Sequence, residues 1–423
     1  MDELNKRAKM IAIFVLIIAG EAIFFLPFVI PRLFRPTVLA FFDITNFELG
    51  SFFSLYGFVA VGAYLLGGPL ADRFSASRLM SVALVATGIG GVLLLLYPTK
   101  HTLFYLYPYW GLTTILLFWA SLLKTTRLVG GTSQQGFMFG LLDGGRGLFA
   151  AVVGTAGVWL FSIFVEGDID ALTSADRNQA FLKMMTIITS FVFIAAILVF
   201  FVLRNFGQSD SSIRQKITVS DIIKVAKIPS VWLQSIIIIC AYCGYKATDD
   251  FSLLAQDVLG YNEVEAAGLS TLTFWIRPIA AVSIGLLADR FSSSMMLIYC
   301  FSIMIISSIG IAFFSVDSSI VWLIILLVMT TSIAIYAMRG LYFAIMEEAK
   351  IPLSVTGTAV GLVSVIGYMP DIFMGPTMGY LLDRTPGYGG HQDLFYLLAG
   401  IAVVGLIASV IFYRVNISPE SKF

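Results

Sequence analysis

The sequence predicts an all-α integral membrane protein, with twelve transmembrane helices arranged as two six-helix bundles related by pseudo-twofold symmetry. Three observations predict it. The 423 residues are 58% hydrophobic and only 12% charged, about half the charged share of an average soluble chain. Five runs, 10–31, 79–97, 185–203, 296–314 and 396–413, are each long enough to cross a hydrocarbon layer of ~30 Å as helix. One short phrase, GPLADRFS at 68–75, returns as GLLADRFS at 285–292.

The apolar runs set the secondary structure. Hydrocarbon offers backbone groups no partner, so spanning segments are helices or closed barrels. These runs are too long and continuous for barrel strands. The first exceeds the apolar core of a signal peptide and continues into LPFVIPRLFRP with no small-residue cleavage site, so it counts as helix 1. The predicted spans are 10–33, 51–71, 79–98, 102–122, 136–164 and 181–203, then 231–250, 266–287, 295–314, 320–343, 355–382 and 394–414. Between the two sets, 204–230 carries Arg204, Arg214, Lys216, Lys224 and Lys227 and reads as a linker with a short amphipathic helix around SDIIKVAKI. It separates an N-terminal bundle, 1–203, from a C-terminal one, 231–423.

Charge orients the helices. With both termini on one side, that side gathers Lys6, Arg7, Lys9, Arg73, Arg78, Lys124, Arg127, the linker cations, Arg290, Lys350, Arg414 and Lys422. The other side holds Arg32, Arg35, Lys100, Arg177, Lys183, Lys246 and Arg384, and is rich in acids such as Glu166, Asp168, Asp170 and Asp176. Basic residues collect on cytoplasmic loops, so the termini and linker are expected in the cytoplasm. The short outer loops suit a bacterial inner (plasma) membrane.

Other function classes find little support. Net charge is zero, which gives no reason to expect a nucleic-acid partner. The expected partners are the lipid bilayer and a small-molecule substrate, and the chain is expected to be a monomer. Cys240 and Cys243 form a CxxC, but inside IIIICAYCGY they read as small apolar residues and not a redox pair. There is no phosphate-binding loop and no nucleophile–His–acid set, and His101 and His391 fall in predicted outer loops. Neither an enzyme, a metal site nor a cofactor is expected.

The repeat extends beyond one phrase. The two LADRFS copies lie 217 residues apart, after helix 2 and after helix 8. Gly136, Gly140 and Gly154 match Gly357, Gly361 and Gly375 at a constant offset of 221. Glycines let membrane helices approach closely. Each half thus reads as a copy of one bundle in the same orientation, as parallel repeats about an axis along the membrane normal require.

Six plus six helices, a basic linker and a G-x-L-A-D-R loop after helices 2 and 8 resemble the major facilitator superfamily of secondary transporters, over essentially the whole chain. In that family the loop usually continues with a glycine and two basic residues. Here the first copy continues SASR, with Ser75 in place of the glycine and Arg78 as the basic residue, and the second continues SSSM. The resemblance implies that Asp72, Arg73, Asp289 and Arg290 act as a gate, bridging the halves in one state and releasing them in the other. The alternative is that they keep two turns in water. The stretch GTAVGLVSVIGYMPDIFMGPTMGYLLD at 357–383 is similar to organophosphate and organic-anion members. Phosphate-ester exchangers of that branch use arginines on helices 1 and 7, where this chain departs with Glu21 and Lys246.

Ionisable residues near mid-span are the informative ones, since each costs about 2.5–3.5 kcal/mol to insert. Glu21, halfway through AIFVLIIAGEAIFFLPFVI, suits a proton carrier or a hydrogen bond to a neighbouring helix. Asp143 and Arg146 in LLDGGRGL stand i, i+3 on one face, so they either pair or leave Arg146 to bind an anion bidentately. Arg277, in TFWIRPIAAV ahead of Pro278, faces either a solute or a partner such as Asp371. Asp371, after Pro370, is a second protonation site or that partner. Arg339 reads as snorkelling to the helix end, and Lys246, Asp249 and Asp250 as outer-mouth charges. Interfacial belts account for most aromatics, leaving Tyr56, Trp119, Tyr242, Trp275, Tyr336 and Tyr368 as pocket candidates.

The expected function is secondary active transport of a small polar, anionic or zwitterionic organic solute by alternating access. Arg146, Arg277, Tyr242, Trp275 and Tyr368 would contact the solute, and Glu21, Asp371 and Asp143 would couple it to the proton gradient as symport. A proton-driven exporter of drugs or metabolites, an uncoupled facilitator, an anion exchanger and a non-transporting membrane sensor remain as alternatives.

Overall fold

Prolines set where the apolar runs bend. In the computed structural model, which describes residues 2–130, 135–164, 173–204, 219–288, 290–313, 321–342, 344–349 and 356–416, helix α1 (Asp2–Ala22) leads into a π-helical turn, Phe25–Val29, and then α2 (Ile30–Leu33). Pro27 lies in that turn and Pro31 in α2. Proline has no N–H for the ladder, and the two limbs meet at a bend of 44°. A short α3 (Arg35–Phe42) ends on Asp43 in the left-handed region, φ 50°. α4 (Asn46–Arg73) then starts from a capping box, in which Thr45 Oγ1 accepts from the Glu48 N–H at 3.1 Å and Glu48 accepts from the Thr45 N–H at 3.0 Å.

The rest of the first half is α5 (Ala76–Leu96), α6 (Lys100–Gly111), a π-helical stretch Leu112–Trp119, α7 (Ala120–Gly130), α8 (Gln135–Phe164) and α9 (Ser174–Leu203). The amphipathic linker helix expected around SDIIKVAKI is α10 (Val219–Ala226). The second half runs through α11 (Pro229–Ala247), a 3₁₀ turn Thr248–Asp250 and α12 (Phe251–Leu259), then α13 (Glu263–Ala288) and α14 (Ser293–Phe313). It ends with α15 (Val321–Leu341), α16 (Ile345–Glu348), α17 (Thr356–Gly367), α18 (Pro370–Arg384) and α19 (Tyr388–Asn416).

Among the described residues, eleven helices are long and apolar enough to cross a membrane, and the bent α1–α2 pair makes a twelfth. The buried apolar residues gather in two large clusters. One draws on residues between Ala12 and Leu203 with Ala267 and Phe274; the other lies between Val225 and Phe412. Two helix pairs, α4 with α18 and α8 with α13, pack the first half of the chain against the second.

Glycine explains how close the first pair comes. A Cβ on Gly50 would stand 2.1 Å from the Gly375 carbonyl oxygen, and one on Gly379 2.4 Å from that of Asn46. The α4–α18 contact is therefore backbone on backbone, as small residues allow in a membrane. Gly154 on α8 sits against Thr271 of α13, so Gly154 and Gly375, matched in the sequence repeat, each face the other half. By contrast, Gly62 and Gly68 on α4 and Gly361 on α17 meet nothing within 4 Å. The halves close at the end that carries the Asp43–Thr45 turn, here termed the distal end, and part toward the end that carries the chain termini.

Polar contacts reinforce the distal closure. Asp383, at the end of α18, accepts the backbone N–H groups of Asn46 at 3.1 Å and Phe47 at 2.7 Å, a carboxylate at a helix N-terminus where donors are otherwise unmet. Thr37 donates to Glu263 at 3.1 Å. Of the gate residues expected from the repeated loops, Arg73 and Arg290 are exposed, whereas Asp289 and the side chain of Asp72 lie outside the described residues. The acids Glu166, Asp168 and Asp170 also lie outside them.

Candidate functional site: a charged pocket between the halves

Where helices break, side chains point inward. The bend after α1, the π stretch before α7, the end of α11 and the break between α17 and α18 all contribute to one central pocket. It is lined by Glu21, Phe24, Phe28, Val29, Arg32, Tyr56, Tyr64, Ile115, Trp119, Arg146, Tyr242, Tyr245, Lys246, Arg277, Arg339, Tyr368 and Asp371. Counting its open mouth, the space is about 770 Å³. Irregular turns inside a membrane protein occur where they line such a cavity.

The mid-span charges singled out in the sequence meet here, but with different partners from those expected. Glu21 accepts from Arg146 Nε at 3.1 Å, and Arg146 Nη2 also stands 3.1 Å from the same oxygen. Arg277 donates to Asp143 at 3.0 Å and lies 3.8 Å from Glu21. The i, i+3 pairing of Asp143 with Arg146 is thus replaced: each acid–base pair runs between helices. Arg277 is not the partner of Asp371 either. Asp371 accepts from the Tyr242 hydroxyl at 3.1 Å and pairs with Lys246 at 3.5 Å.

Lys246 and Asp249, expected at an outer mouth, are 2% and 3% exposed. The reason is length: the apolar helical run continues from Pro229 to Leu259, so a helix end expected at 250 becomes mid-span. Lys246 bridges Asp249 at 3.2 Å and Asp371. Asp249 also binds the Arg32 guanidinium, whose Nη1 donates to the Tyr245 hydroxyl at 2.9 Å. Arg32, from the first half, is therefore tied to α11 and the turn after it in the second.

Aromatic faces complete the lining. The Arg146 guanidinium carbon lies 5.5 Å from the Trp119 ring centroid and 5.6 Å from that of Phe24. Tyr368 stacks on Tyr64 across the halves at 6.1 Å and meets Tyr242 edge-on at 5.0 Å. Tyr242 and Tyr368 both line the pocket. Trp275 does not. It is 38% exposed, is absent from the lining, and donates to Thr155 at 3.1 Å.

Among the polar lining residues, Tyr64 and Tyr245 were not singled out in the sequence, and Arg32, Lys246 and Arg339 were placed elsewhere. Arg339 lies against the Tyr245 ring, its guanidinium carbon 3.8 Å from the centroid, and does not snorkel away to the helix end. Its Nη1 is buried without a hydrogen-bond partner. His391, expected in a loop, is fully buried because α19 begins at Tyr388; its ring nitrogens lie 2.8 Å from Asp250 and 3.2 Å from Asp257. Among the described residues, no group of three or more His, Cys, Asp or Glu side chains is arranged to hold a metal ion.

Two helical halves around a central charged pocket, closed at one end and parted toward the other, define a transporter of the alternating-access kind. The chain belongs to the Major Facilitator Superfamily, whose family profile matches residues 10–373, and it has that superfamily's fold of two six-helix bundles. Among curated proteins, it is similar to inner membrane protein YqcE of Escherichia coli, 26% identical over 411 residues covering 95% of this chain and 94% of the relative. It is also similar to inner membrane protein YihN of the same organism, 27% identical over 415 residues and 96% of each chain. Among solved structures, a point variant of the nucleoside transporter NupG matches with a TM-score of 0.74 at 12% identity, covering 96% of this chain and all of that one. A bacterial homolog to the human lysosomal transporter Spinster, inward-facing and unoccupied, matches with a TM-score of 0.73 at 14% identity over 98% of both chains.

Proposed function

We propose that this protein is a proton-coupled secondary transporter of a small organic anion, acting in a bacterial inner membrane with its termini in the cytoplasm. One observation carries the reading: the pocket is lined by five basic side chains but only two acids, set among aromatic rings. Guanidinium groups suit carboxylate and phosphate heads, and ring faces suit a flat or ring-bearing body. The inner-membrane location rests on the names of the two relatives, and the orientation on the distribution of basic residues. Tyr242 and Tyr368 contact the solute body in this reading, together with Arg146 and Arg277.

Coupling follows from shared partners. Arg146 and Arg277 hold Glu21, so an anion that takes these arginines leaves the carboxyl in an apolar surround, where it is held neutral by taking a proton. Asp371, held by Lys246 and Tyr242, offers a second acid of the same kind, and Asp143 responds through Arg277. The halves then rock, the terminal-side gate at Asp72, Arg73, Asp289 and Arg290 closes, and the distal contacts release.

The test is uptake by liposomes that hold the purified protein, with and without an imposed proton gradient, across a panel of organic acids and their neutral analogues. Gradient-driven uptake of an acid, lost in Glu21→Gln and Asp371→Asn while exchange of preloaded solute persists, supports the reading. Uphill uptake retained by both variants overturns the coupling scheme, and uptake confined to neutral or cationic solutes overturns the anion assignment.

A further inference from the structure

The charges in and around the pocket pair off one by one, and one remains. Arg32 has Asp249, Arg146 has Glu21, Lys246 has Asp249 and Asp371, and Arg277 has Asp143 and Glu21. Arg339 has no carboxylate within 4.0 Å among the described residues. Five basic groups therefore stand against four carboxylates, Glu21, Asp143, Asp249 and Asp371, leaving one positive charge in excess. An uncompensated charge at membrane depth is costly, and a protein keeps one where something arrives to meet it.

The local geometry shows what kind of group arrives. The Arg339 guanidinium carbon lies 3.8 Å from the Tyr245 ring centroid, while Arg32 packs on the same ring at 4.6 Å. Arg339 lines the pocket, and a guanidinium offers paired N–H groups that bind an oxyanion in a fork. One of its nitrogens, Nη1, has no hydrogen-bond partner. Arg32, by contrast, spends its Nε on Asp249 and its Nη1 on the Tyr245 hydroxyl.

We infer that Arg339 is the receptor for the solute's negative head, and that the site takes a ring-bearing solute with a single oxyanion group, whether carboxylate or phosphate monoester. The inference rests on the organic-anion reading given above. It divides the labour among the cations: Arg339 binds the head, while Arg146 and Arg277 report its arrival to Glu21. Tyr245, on whose ring Arg339 packs, is a positioning residue.

The experiment uses the purified full chain in detergent and three probes that share one ring: D-glucuronate, D-glucose 6-phosphate and neutral D-glucose. Binding is read by thermal stabilisation and titration calorimetry. The expected result is binding of one or both anions in preference to glucose, roughly 10- to 100-fold weaker in Arg339→Gln, as the loss of a charged hydrogen bond implies. Arg339→Lys should recover part of the affinity, and added salt should weaken binding to the wild type more than to Arg339→Gln. Trp275→Phe, outside the pocket, should bind as the wild type does. Which anion binds separates carboxylate from phosphate recognition. Anion binding unchanged in both Arg339 variants overturns the assignment to Arg339 and leaves the anion reading standing. Binding of neither anion, or of glucose equally well, overturns the anion reading and the inference with it.

Discussion

Arg277 on α13 donates to Asp143 on α8 at 3.0 Å, so an ion pair joins the two halves of the transporter at the pocket. The same guanidinium is 3.8 Å from Glu21 of α1. Arg277 is thus shared between two acids of the opposite half. Rocking of the halves must lengthen these contacts, and an arriving anion competes for them. Asp143 is half-exposed, whereas Arg277 and Glu21 are buried; a buried charge pair adds little net stability against a well-packed apolar alternative, yet removing one member alone is costly. That asymmetry lets the same residues be retained for function and probed by mutation.

Glu21→Gln strips Arg146 and Arg277 of a common partner. The variant is expected to lose about 3–5 kcal/mol, the usual cost of leaving a buried charge unmatched. A second change, Arg146→Gln, should restore part of that loss, because the stranded charge goes with it. Thermal unfolding of the two single variants and the double variant measures the coupling. A double variant whose loss equals the sum of the singles would show that Glu21 and Arg146 do not interact.

Arg32→Gln should loosen the distal end. Arg32 links the first half to Asp249 and Tyr245 of the second, and both Arg32 and Asp249 are buried. Spin labels at Asp43→Cys and Arg384→Cys, exposed positions on opposite halves of the distal face, would report the gap by pulsed electron resonance. The chain's own three cysteines are buried, which keeps the labelling selective. The distance distribution should widen or gain a longer component in Arg32→Gln, and an unchanged distribution would remove Arg32 from the distal closure.

Much of this site was legible because an ionisable residue inside an apolar run is conspicuous. Glu21, Asp143, Arg146, Arg277 and Asp371 stand out for that reason, and four of them line the pocket while Asp143 pairs with one that does. Their partners were not legible. Spacing such as i, i+3 shows which residues share a face, but the closest opposite charge lies on another helix, and helix packing is invisible in one sequence. Lys246 and Asp249 were misplaced through helix length, because the run from Pro229 to Leu259 carries helix 7 nine residues past its expected end. Helix 1 ends at residue 33 as expected; Arg32 was misplaced because its partners, Asp249 and Tyr245, lie on the other half. Trp275 was misassigned because a neighbour of Arg277 two residues away points to a different side of the helix. The fold was readable from the twelve runs and from the repeat, since both are written in the order of residues along the chain.

Gly50→Val tests the backbone contact of α4 with α18. A Cβ there would lie 2.1 Å from the Gly375 carbonyl oxygen, with no flexible side chain to give way. The helices must part, at a cost of about 1–3 kcal/mol to the distally closed state. The change should therefore shift the population toward the distally open state, seen as a longer distance between the same two labels. Gly62→Val, where a Cβ meets nothing within 4 Å, should leave the distance distribution as in the wild type. Equal distributions in all three proteins would remove the close glycine contact from the closure.

His391 offers a last test, because its two neighbours constrain its proton count. The ring stands between Asp250 at 2.8 Å and Asp257 at 3.2 Å, with His391 and Asp250 both fully buried. A neutral imidazole has one donor and one acceptor, whereas ionised carboxylates only accept. Both contacts are hydrogen bonds only if the trio carries one proton more than a neutral ring with two carboxylates. That proton resides on the imidazole or on one acid. His391→Leu removes the donor and strands Asp250, whose Oδ1 already lacks a partner, so it should cost about 3–5 kcal/mol, with Asp250→Asn restoring part of it. The chain has only two histidines, so nitrogen-15 spectra of a His101→Asn variant report His391 alone. They should show both ring nitrogens protonated, or else the infrared spectrum should show a protonated-acid band that vanishes in Asp250→Asn or Asp257→Asn. A neutral ring beside two ionised acids would mean that one of the two contacts is not a hydrogen bond, and that α19 is held to the helix-7 extension through the other alone.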